Sequence, residues 1–275
     1  MSKDFVNKDF VNIVLENIWK DRYCKNNENL DGNYRRVAKY CASNAEEEEL
    51  FYGVMKNREF FPAGRTMSNS GIGKNLTLNN CFVSPQIQDD LMDIFDKVKL
   101  GAITHQKGGG IGYDFSQLRP KGMPTSNDAI ASGAISFMDC FNAQTATILQ
   151  GNRRGANMGV MSVYNMDIED FINAKSQSKE RLDHFNISVM VDNDFIDAVK
   201  KNKDIYLHYP VYSTDGKLLK NESQWKYKKT ANAKDLWDMI IKKAYDNGEP
   251  GIFFYDNLNK DNNLWYIENI ICSNP

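Results

Sequence analysis

The stretch KGGGIGYDFSQLRPKG, Lys107 to Gly122, decides how the chain folds. Three consecutive glycines, Gly108 to Gly110, remove every Cβ from a short loop, so a ligand or a second backbone can approach its peptide N–H groups directly. Ile111 to Phe115 then alternates apolar with polar or small residues in the manner of a strand, and Arg119-Pro120-Lys121-Gly122 closes the run with a basic turn. By itself such a stretch is equally a tight packing turn ahead of a solvated charged loop; its neighbours separate the two readings.

Upstream, Leu76 to Ser84 is an apolar-rich strand holding Cys81, and a helix follows with Leu91, Ile94, Phe95, Val98 and Ala102 on one face. Downstream, a helix over Ala134 to Leu149 carries Phe137, Met138, Phe141, Ile148 and Leu149 and ends in Gln150-Gly151-Asn152-Arg153-Arg154-Gly155. Strands near Ala156 to Val163, Phe185 to Val191, Ile205 to Tyr212 and Ile252 to Tyr255 alternate with helices at Ile168 to Ala174, Asp194 to Lys200 and Lys234 to Tyr245. Asp215 to Lys229 reads as a polar excursion, Asp256 to Asn263 as a polar loop, and Trp265 to Cys272 as a last extended segment. Strands alternating with helices predict an α/β fold with a parallel sheet or barrel. Ahead of it, residues 3 to about 60 read as helices: an apolar stripe of Phe5, Val6, Phe10, Ile13, Val14, Ile18 and Trp19, a second helix over Tyr34 to Cys41, and a third opening on Glu46 to Glu49, where negative charge meets the positive end of the helix dipole. Phe60 to Gly64 stops it. The domains expected are a helical region over residues 1–70 and an α/β region over 71–275.

Composition narrows the function. A chain of 275 residues that is 41% hydrophobic and 25% charged has the make-up of an ordinary globular protein. A formal net charge of -2 gives no basic field for wrapping duplex DNA, so any nucleotide contact is local. No apolar run reaches the ~20 residues of a membrane span, and Met1-Ser2-Lys3-Asp4 opens no signal-peptide core, so a cytoplasmic location is expected. Cys24, Cys41, Cys81, Cys140 and Cys272 are odd in number, widely spaced and without CxxC, and His105, His184 and His208 lack ligand spacing; reduced thiols and no metal site are expected. Ending on Ser273-Asn274-Pro275, the strand set is odd and unclosed, and its raw edge invites a second polypeptide.

Several stretches together resemble the catalytic subunit of ribonucleotide reductases. They are PAGRTMSNSG (62–71), LNNCFVSP (78–85), the glycine stretch itself, SGAISFMDCFNAQTATILQGNRRGANMGVM (132–161), HFNISVMV (184–191), GEPGIFFYDNLN (248–259) and the final SNP, in order over roughly residues 50 to 275. The wording is closest to the adenosylcobalamin-dependent class, while the class that takes its radical from a diiron subunit shares much of this half. The resemblance implies a helical N-terminal region followed by roughly the first half, about five strands, of a ten-stranded α/β barrel. In the family, Asn-Pro continues into Cys-Gly-Glu, whose Cys becomes the substrate-attacking thiyl radical; the expectation is therefore an N-terminal piece, split or intein-interrupted, that reduces ribonucleoside diphosphates or triphosphates only with its C-terminal half. The competing expectation is a non-catalytic nucleotide-binding paralogue.

The resemblance also assigns residues. Cys81 matches the first of the redox cysteine pair, a task suited to a thiol because the dithiol/disulfide couple is reversible and is recharged by a thioredoxin-like reductant. Asn274 matches the asparagine beside the radical site, Gly110 a position whose backbone meets substrate, and Asn80 lines the same pocket. Gly64 to Ser68, with the Thr66 and Ser68 hydroxyls, is a loop offering donors to substrate phosphates. Asp89, Asp90 and Leu91 match ribose and base contacts of a deoxynucleoside triphosphate effector, and Arg119 a phosphate contact; the second basic contact has no clear match, and Lys121 stands as its substitute. Asp90 at a helix start is equally a cap. Gln150, Arg153 and Arg154 match the loop that carries effector identity to the substrate base, and the helices flanking these loops resemble a homodimer interface. No ATP-binding regulatory module is expected.

Overall fold

Asparagine side chains mark where the N-terminal helices start. In the computed structural model, which describes residues 8–25, 27–148, 155–175, 181–213 and 216–275, Asn29 accepts from the Gly32 N–H at 2.8 Å to open α2 (Leu30–Cys41), and Asn44 accepts from Glu47 at 2.9 Å to open α3 (Ala45–Lys56). Preceding them is α1 (Lys8–Arg22), and α4 (Gly64–Asn69) follows. Tyr34, Val37 and Ala38 of α2 pack with Tyr52 and Met55 of α3 and Met67 of α4 in a small core. A half-buried pair, Arg36 to Glu28 at 2.8 Å, stiffens it, and Arg36 also reaches the Ser70 carbonyl. Ile13, Val14 and Ile18 of the expected apolar stripe stay exposed.

The chain divides into two compact units, the residues up to Asn80 with Lys107–Gly109, and Cys81–Gln106 with Gly110–Pro275. The second is built on five parallel strands in the order β1-β2-β3-β4-β7: β1 (Cys81–Val83), β2 (Gly110–Asp114), β3 (Asn157–Ser162), β4 (Phe185–Val191) and β7 (Gly251–Phe254). Between them run α5 (Leu91–Gln106), α6 (Ala134–Thr147), α7 (Ile168–Asn173), α8 (Asn193–Lys200) and α9 (Ala233–Asn247). Spatial order follows chain order, as in the wall of a barrel.

Period-2 alternation gives this sheet two different faces. Ile111 and Tyr113 of β2, Met161 of β3 and Phe185, Ile187, Val189 and Val191 of β4 bury against Ile94, Met138, Phe141, Phe171, Phe195, Leu236 and Ile240 of the helices. On the opposite face, Val160 and Met190 meet Val211, Tyr212, Tyr255 and Cys272. Apolar cover on both faces is what a parallel sheet requires.

Four expectations need correction. The strand at Leu76 to Ser84 shrinks to Cys81–Val83, because Thr66 and Asn69 side chains take the Leu78 and Thr77 carbonyls at 3.1 and 2.8 Å. The Ile205 to Tyr212 strand is not in the parallel sheet: β5 (Asp204–Tyr209) pairs antiparallel with β6 (Tyr227–Asn232), which begins in the last three residues of the expected polar excursion and runs past its end. Asp256 to Asn263 holds a helix, α10 (Tyr255–Lys260). Trp265 to Cys272 forms no strand: Leu264 accepts from Ile267 and Glu268 in a turn, and the Asn259 amide takes both backbone groups of Ile270, at 2.7 and 3.0 Å.

Within the second unit Gly101 of α5 is required by close approach. A Cβ there would overlap the hydroxyl of Tyr113, whose ring is wholly buried. Gly101→Ala gains about 1 kcal/mol of helix propensity but forces an overpacked core costing roughly 1–3 kcal/mol. The expected outcome is a net loss of stability, recovered when Tyr113→Phe removes the hydroxyl, as read from urea midpoints of the two variants.

Candidate active site

Alternation along β2 puts Gly110, Gly112 and Asp114 on the face opposite the helices. A side chain at Gly110 would come 2.8 Å from the Pro275 ring and 3.8 Å from the Cys81 sulfur, and one at Gly112 would overlap the Ser273 carbonyl. The bare strand thus admits a second backbone, Cys272 to Pro275, against itself. Cys81 lies opposite Gly110 in the parallel register, and its Sγ sits 3.6 Å from the Pro275 carbonyl oxygen. Asn274 is exposed beside it, its Nδ2 3.3 Å from the same carbonyl. Cys81, Gly110 and Asn274 therefore meet in one place, with a half-buried thiol at its centre.

The other expected substrate residues, Gly64, Thr66, Ser68 and Asn80, belong to the first unit. The Gly64 to Ser68 stretch is not a loop but the start of α4. Asn80 Oδ1 accepts from the Arg65 N–H at 3.0 Å, Thr66 Oγ1 donates to Leu78 at 3.1 Å, and Ser68, buried, donates to Asn69 Oδ1 at 2.9 Å. Both hydroxyls donate to neighbours within the first unit.

The expected effector residues divide in two. Asp89 and Arg119 come together: the Arg119 guanidinium lies 3.0 Å from Asp89 Oδ2, the Arg119 backbone N–H donates to Oδ1 at 2.9 Å, and the Tyr209 hydroxyl donates to Oδ2 at 2.7 Å. Burial and the Asp89 charge push the Tyr209 hydroxyl above its ordinary range. Leu91 opens α5 and is 60% exposed. Asp90 acts as the cap, accepting from the Asp93 N–H at 3.0 Å. Lys121 does not join the Asp89–Arg119 pair; its amide donates to Asp167 at 3.1 Å and its ammonium lies 4.0 Å from Asp170. Gln150, Arg153 and Arg154 lie outside the described residues.

Asp114, which carried no expectation, continues the glycine face inward. It is 2% exposed; Oδ1 accepts from Ser116 N–H and Oγ at 3.2 and 2.5 Å, while Oδ2 has no hydrogen-bond partner. Desolvation raises its pKa from 3.8 to about 7, against the pull of the Ser116 bonds. Burial, and then the Asp114 charge, push the Cys272 thiol well up, so this cysteine is an inert buried residue of the terminal segment. The sequence signal that points to Asp114 is its place two residues beyond Gly112 on a strand whose even positions are otherwise bare.

The second unit is thus a parallel α/β sheet with a thiol, a glycine-cleared strand and a terminal backbone segment threaded against it. The family profile described as "Ribonucleotide reductase, all-alpha domain" matches residues 12–75, and that described as "Ribonucleotide reductase, barrel domain" matches 79–275. The chain belongs to the ribonucleotide reductase large-subunit family. It is 38% identical over 227 residues to a vitamin B12-dependent ribonucleoside-diphosphate reductase of Thermoplasma acidophilum, covering 82% of this chain and 28% of the relative. A protein of the same description from Mycobacterium tuberculosis is 38% identical over 229 residues, 82% of this chain and 31% of the relative. A ribonucleoside-diphosphate reductase subunit alpha of Helicobacter pylori is 27% identical over 257 residues, 83% and 31% of the two chains. The chain thus spans under a third of the length of these relatives, and its likeness is greater to the B12-dependent ones.

Because folding raises the Asp114 pKa, the folded state holds a proton that the unfolded chain releases above about pH 4. This contribution is whole at lower pH and is lost as pH rises through about 7. Asp114→Asn keeps the shape without the charge, so its stability relative to the parent is expected to grow between pH 4 and 8, by at most about 4 kcal/mol. Urea unfolding of both proteins across that range checks it; a flat difference curve would mean that Asp114 is ionised throughout.

Proposed function

We propose that this chain supplies the substrate- and effector-reading part of a catalytic subunit that reduces ribonucleotides to deoxyribonucleotides. The observation that carries the reading is the meeting of Cys81, Gly110 and the Asn274-Pro275 backbone, the Cys81 sulfur 3.6 Å from Pro275. In the proposed reaction a thiyl radical borne on the continuing chain takes the 3′ hydrogen of the ribose and later returns it. Cys81 and a second cysteine, also beyond these residues, give two electrons and two protons; the 2′-hydroxyl leaves as water, a hydrogen takes its place, and the pair becomes a disulfide. A thioredoxin-like protein then reduces that disulfide by exchange. The Asn274 amide, able to donate and accept, orients the ribose hydroxyls, and the bare Gly110 backbone lets the sugar approach.

Likeness to relatives named vitamin B12-dependent favours adenosylcobalamin as the source of the radical over a diiron subunit. A deoxynucleoside triphosphate effector is assigned to Asp89, Leu91 and Arg119, with charge-assisted bonds of about 1.5–3 kcal/mol each, and Asp90 contributes by fixing the start of α5. Leu91, Met92, Phe95, Leu100 and Ile103 are exposed along α5, an apolar face suited to a homodimer. The C-terminal half of the enzyme is the remaining partner, and the cytoplasm is the compartment that such a reaction serves. No helix among the described residues is long and apolar enough to cross a membrane.

Reconstitution with a polypeptide beginning Cys-Gly-Glu tests the reading. Nucleotide reduction by the assembled enzyme is expected, and Cys81→Ser should abolish multiple turnover while leaving calorimetric effector binding unchanged. Binding without any reduction would instead favour a regulatory paralogue. Arg154→Ala is expected to flatten effector-directed choice among the four bases more than it weakens the effector, measured by competing substrates under each deoxynucleotide; unchanged preferences would remove the loop assignment.

A further inference from the structure

The apolar layer between the sheet and α5–α6 contains a polar cluster that no catalytic step uses. His105, in the last turn of α5, is wholly buried, and its Nδ1 lies 3.3 Å from Gln144 Nε2. The amide is a donor, so Nδ1 accepts and the ring hydrogen is on Nε2. The Ala156 carbonyl and the Asn157 side chain lie against the ring. Gln144 and Thr145 form the last turn of α6. Thr145 Oγ1 donates to the Phe141 carbonyl at 2.9 Å and accepts from Asn157 Nδ2 at 2.7 Å. Asn157 opens β3, and its own N–H donates to His184 O at 2.8 Å. His105 Nε2, Asn157 Oδ1 and the Tyr113 hydroxyl are buried without a hydrogen-bond partner.

Burying several amide, hydroxyl and imidazole groups among Ile94, Met138 and Phe141 costs stability unless each is paired, and three atoms here are not. Apolar side chains would pack this layer more cheaply, so its polarity calls for a reason beyond stability. Location provides one. Thr145 lies just before the 150–154 loop and Asn157 just after it, so their 2.7 Å bond ties one root of the loop to the other. The 3.3 Å contact to His105 ties both to α5, a helix of 16 residues whose first turn holds Leu91 beside the Asp89–Arg119 pair. His105 is also followed within five residues by Gly110, opposite Cys81. Desolvation lowers the His105 pKa, in keeping with a neutral imidazole whose Nδ1 accepts from the Gln144 amide.

We propose that His105, Gln144, Thr145 and Asn157 are positioning residues that hold the two roots of the 150–154 loop in register with α5, and that they thereby set how strictly the effector dictates the base reduced. The proposal rests on the reading of that loop as the specificity element. Coupling passes from the effector end of α5 along a rigid helix to the imidazole, across the Gln144 amide, and into both roots of the loop. Unpaired capacity at Asn157 Oδ1 and Tyr113 leaves the cluster able to re-pair when α5 shifts.

Thr145→Val keeps the shape and removes the hydroxyl, and Thr145→Ser restores it. Hydrogen exchange of this chain within the assembled enzyme, followed by mass spectrometry over residues 144–148 and 155–162, is expected to quicken about tenfold in the valine variant and to match the parent in the serine variant. In the same preparations, the ratio of bases reduced under each of the four deoxynucleoside triphosphates should flatten several-fold for valine and not for serine, while turnover of the favoured pair stays within a few-fold. Parental exchange in the valine variant would overturn the clamp. Faster exchange with base choice still fully effector-directed would overturn the positioning role. If the parent enzyme itself shows no effector-directed choice, the specificity-loop reading fails and takes the base-choice claim with it, while the exchange data still decide whether the roots are clamped. Gln144→Met, which removes the imidazole's partner from the other side, serves if Thr145→Val does not fold.

Discussion

A strand that carries no side chains on one face is the constraint on which the second unit depends. Gly110 and Gly112 leave β2 bare where Pro275 and Ser273 lie, and any Cβ at either position would meet atoms of the terminal segment. At Gly112 the contact is backbone against backbone and at Gly110 it is with the rigid Pro275 ring, so its geometry owes little to side-chain rotamers. That is a demanding way to place Asn274 and Pro275 beside Cys81, and a rigid one. The same strand buries Ile111 and Tyr113 on its other face, so the threaded segment rests on a platform anchored in the main core.

Polar groups buried on either side of this platform have different consequences. Beneath the threaded segment, Asp114 is held by Ser116 alone and titrates near neutrality, so the terminal segment packs most comfortably over an uncharged carboxyl. Behind the sheet, the cluster around His105 is uncharged as well, and its cost is in unpaired hydrogen-bonding capacity rather than in desolvated charge. Both lie within a few residues of positions assigned to substrate. Buried polar groups near a site are expected where a definite geometry matters more than the last increment of stability.

Much of the fold was legible in local pattern. Phe185 to Val191 reads as a strand because Phe185, Ile187, Val189 and Val191 recur at every second position, and it is β4, paired with β3 on one side and β7 on the other. Amphipathic spacing likewise announces α5, α6 and α9. The misread elements share a cause, side chains that capture backbone groups. Asn259 takes the groups of Ile270 that a ladder would have used, and Thr66 and Asn69 do the same to the residues ahead of Cys81. Such captures join residues up to twelve positions apart and leave no periodic trace. The hairpin partner of β5 was hidden for a related reason, since Tyr227–Asn232 is polar enough to pass for a loop and becomes a strand only by pairing.

For the site, sequence by itself determined the chemistry: one thiol in an apolar strand, a glycine run, and an asparagine before a proline, in the order that marks the family. The family resemblance also assigned Asp89 and Arg119 to one ligand, and the two side chains pair in the structure. Only tertiary structure decided which residues meet and which do not. It put Cys81 against Pro275 across most of the chain's length, spent the Thr66 and Ser68 hydroxyls on local bonds, turned Lys121 toward Asp170, and buried Asp114 where its charge is costly. The physical reason is that residue type fixes what a group can donate, accept or give up, whereas solvent exposure and the partner at hand, both products of packing, fix what it is left free to do.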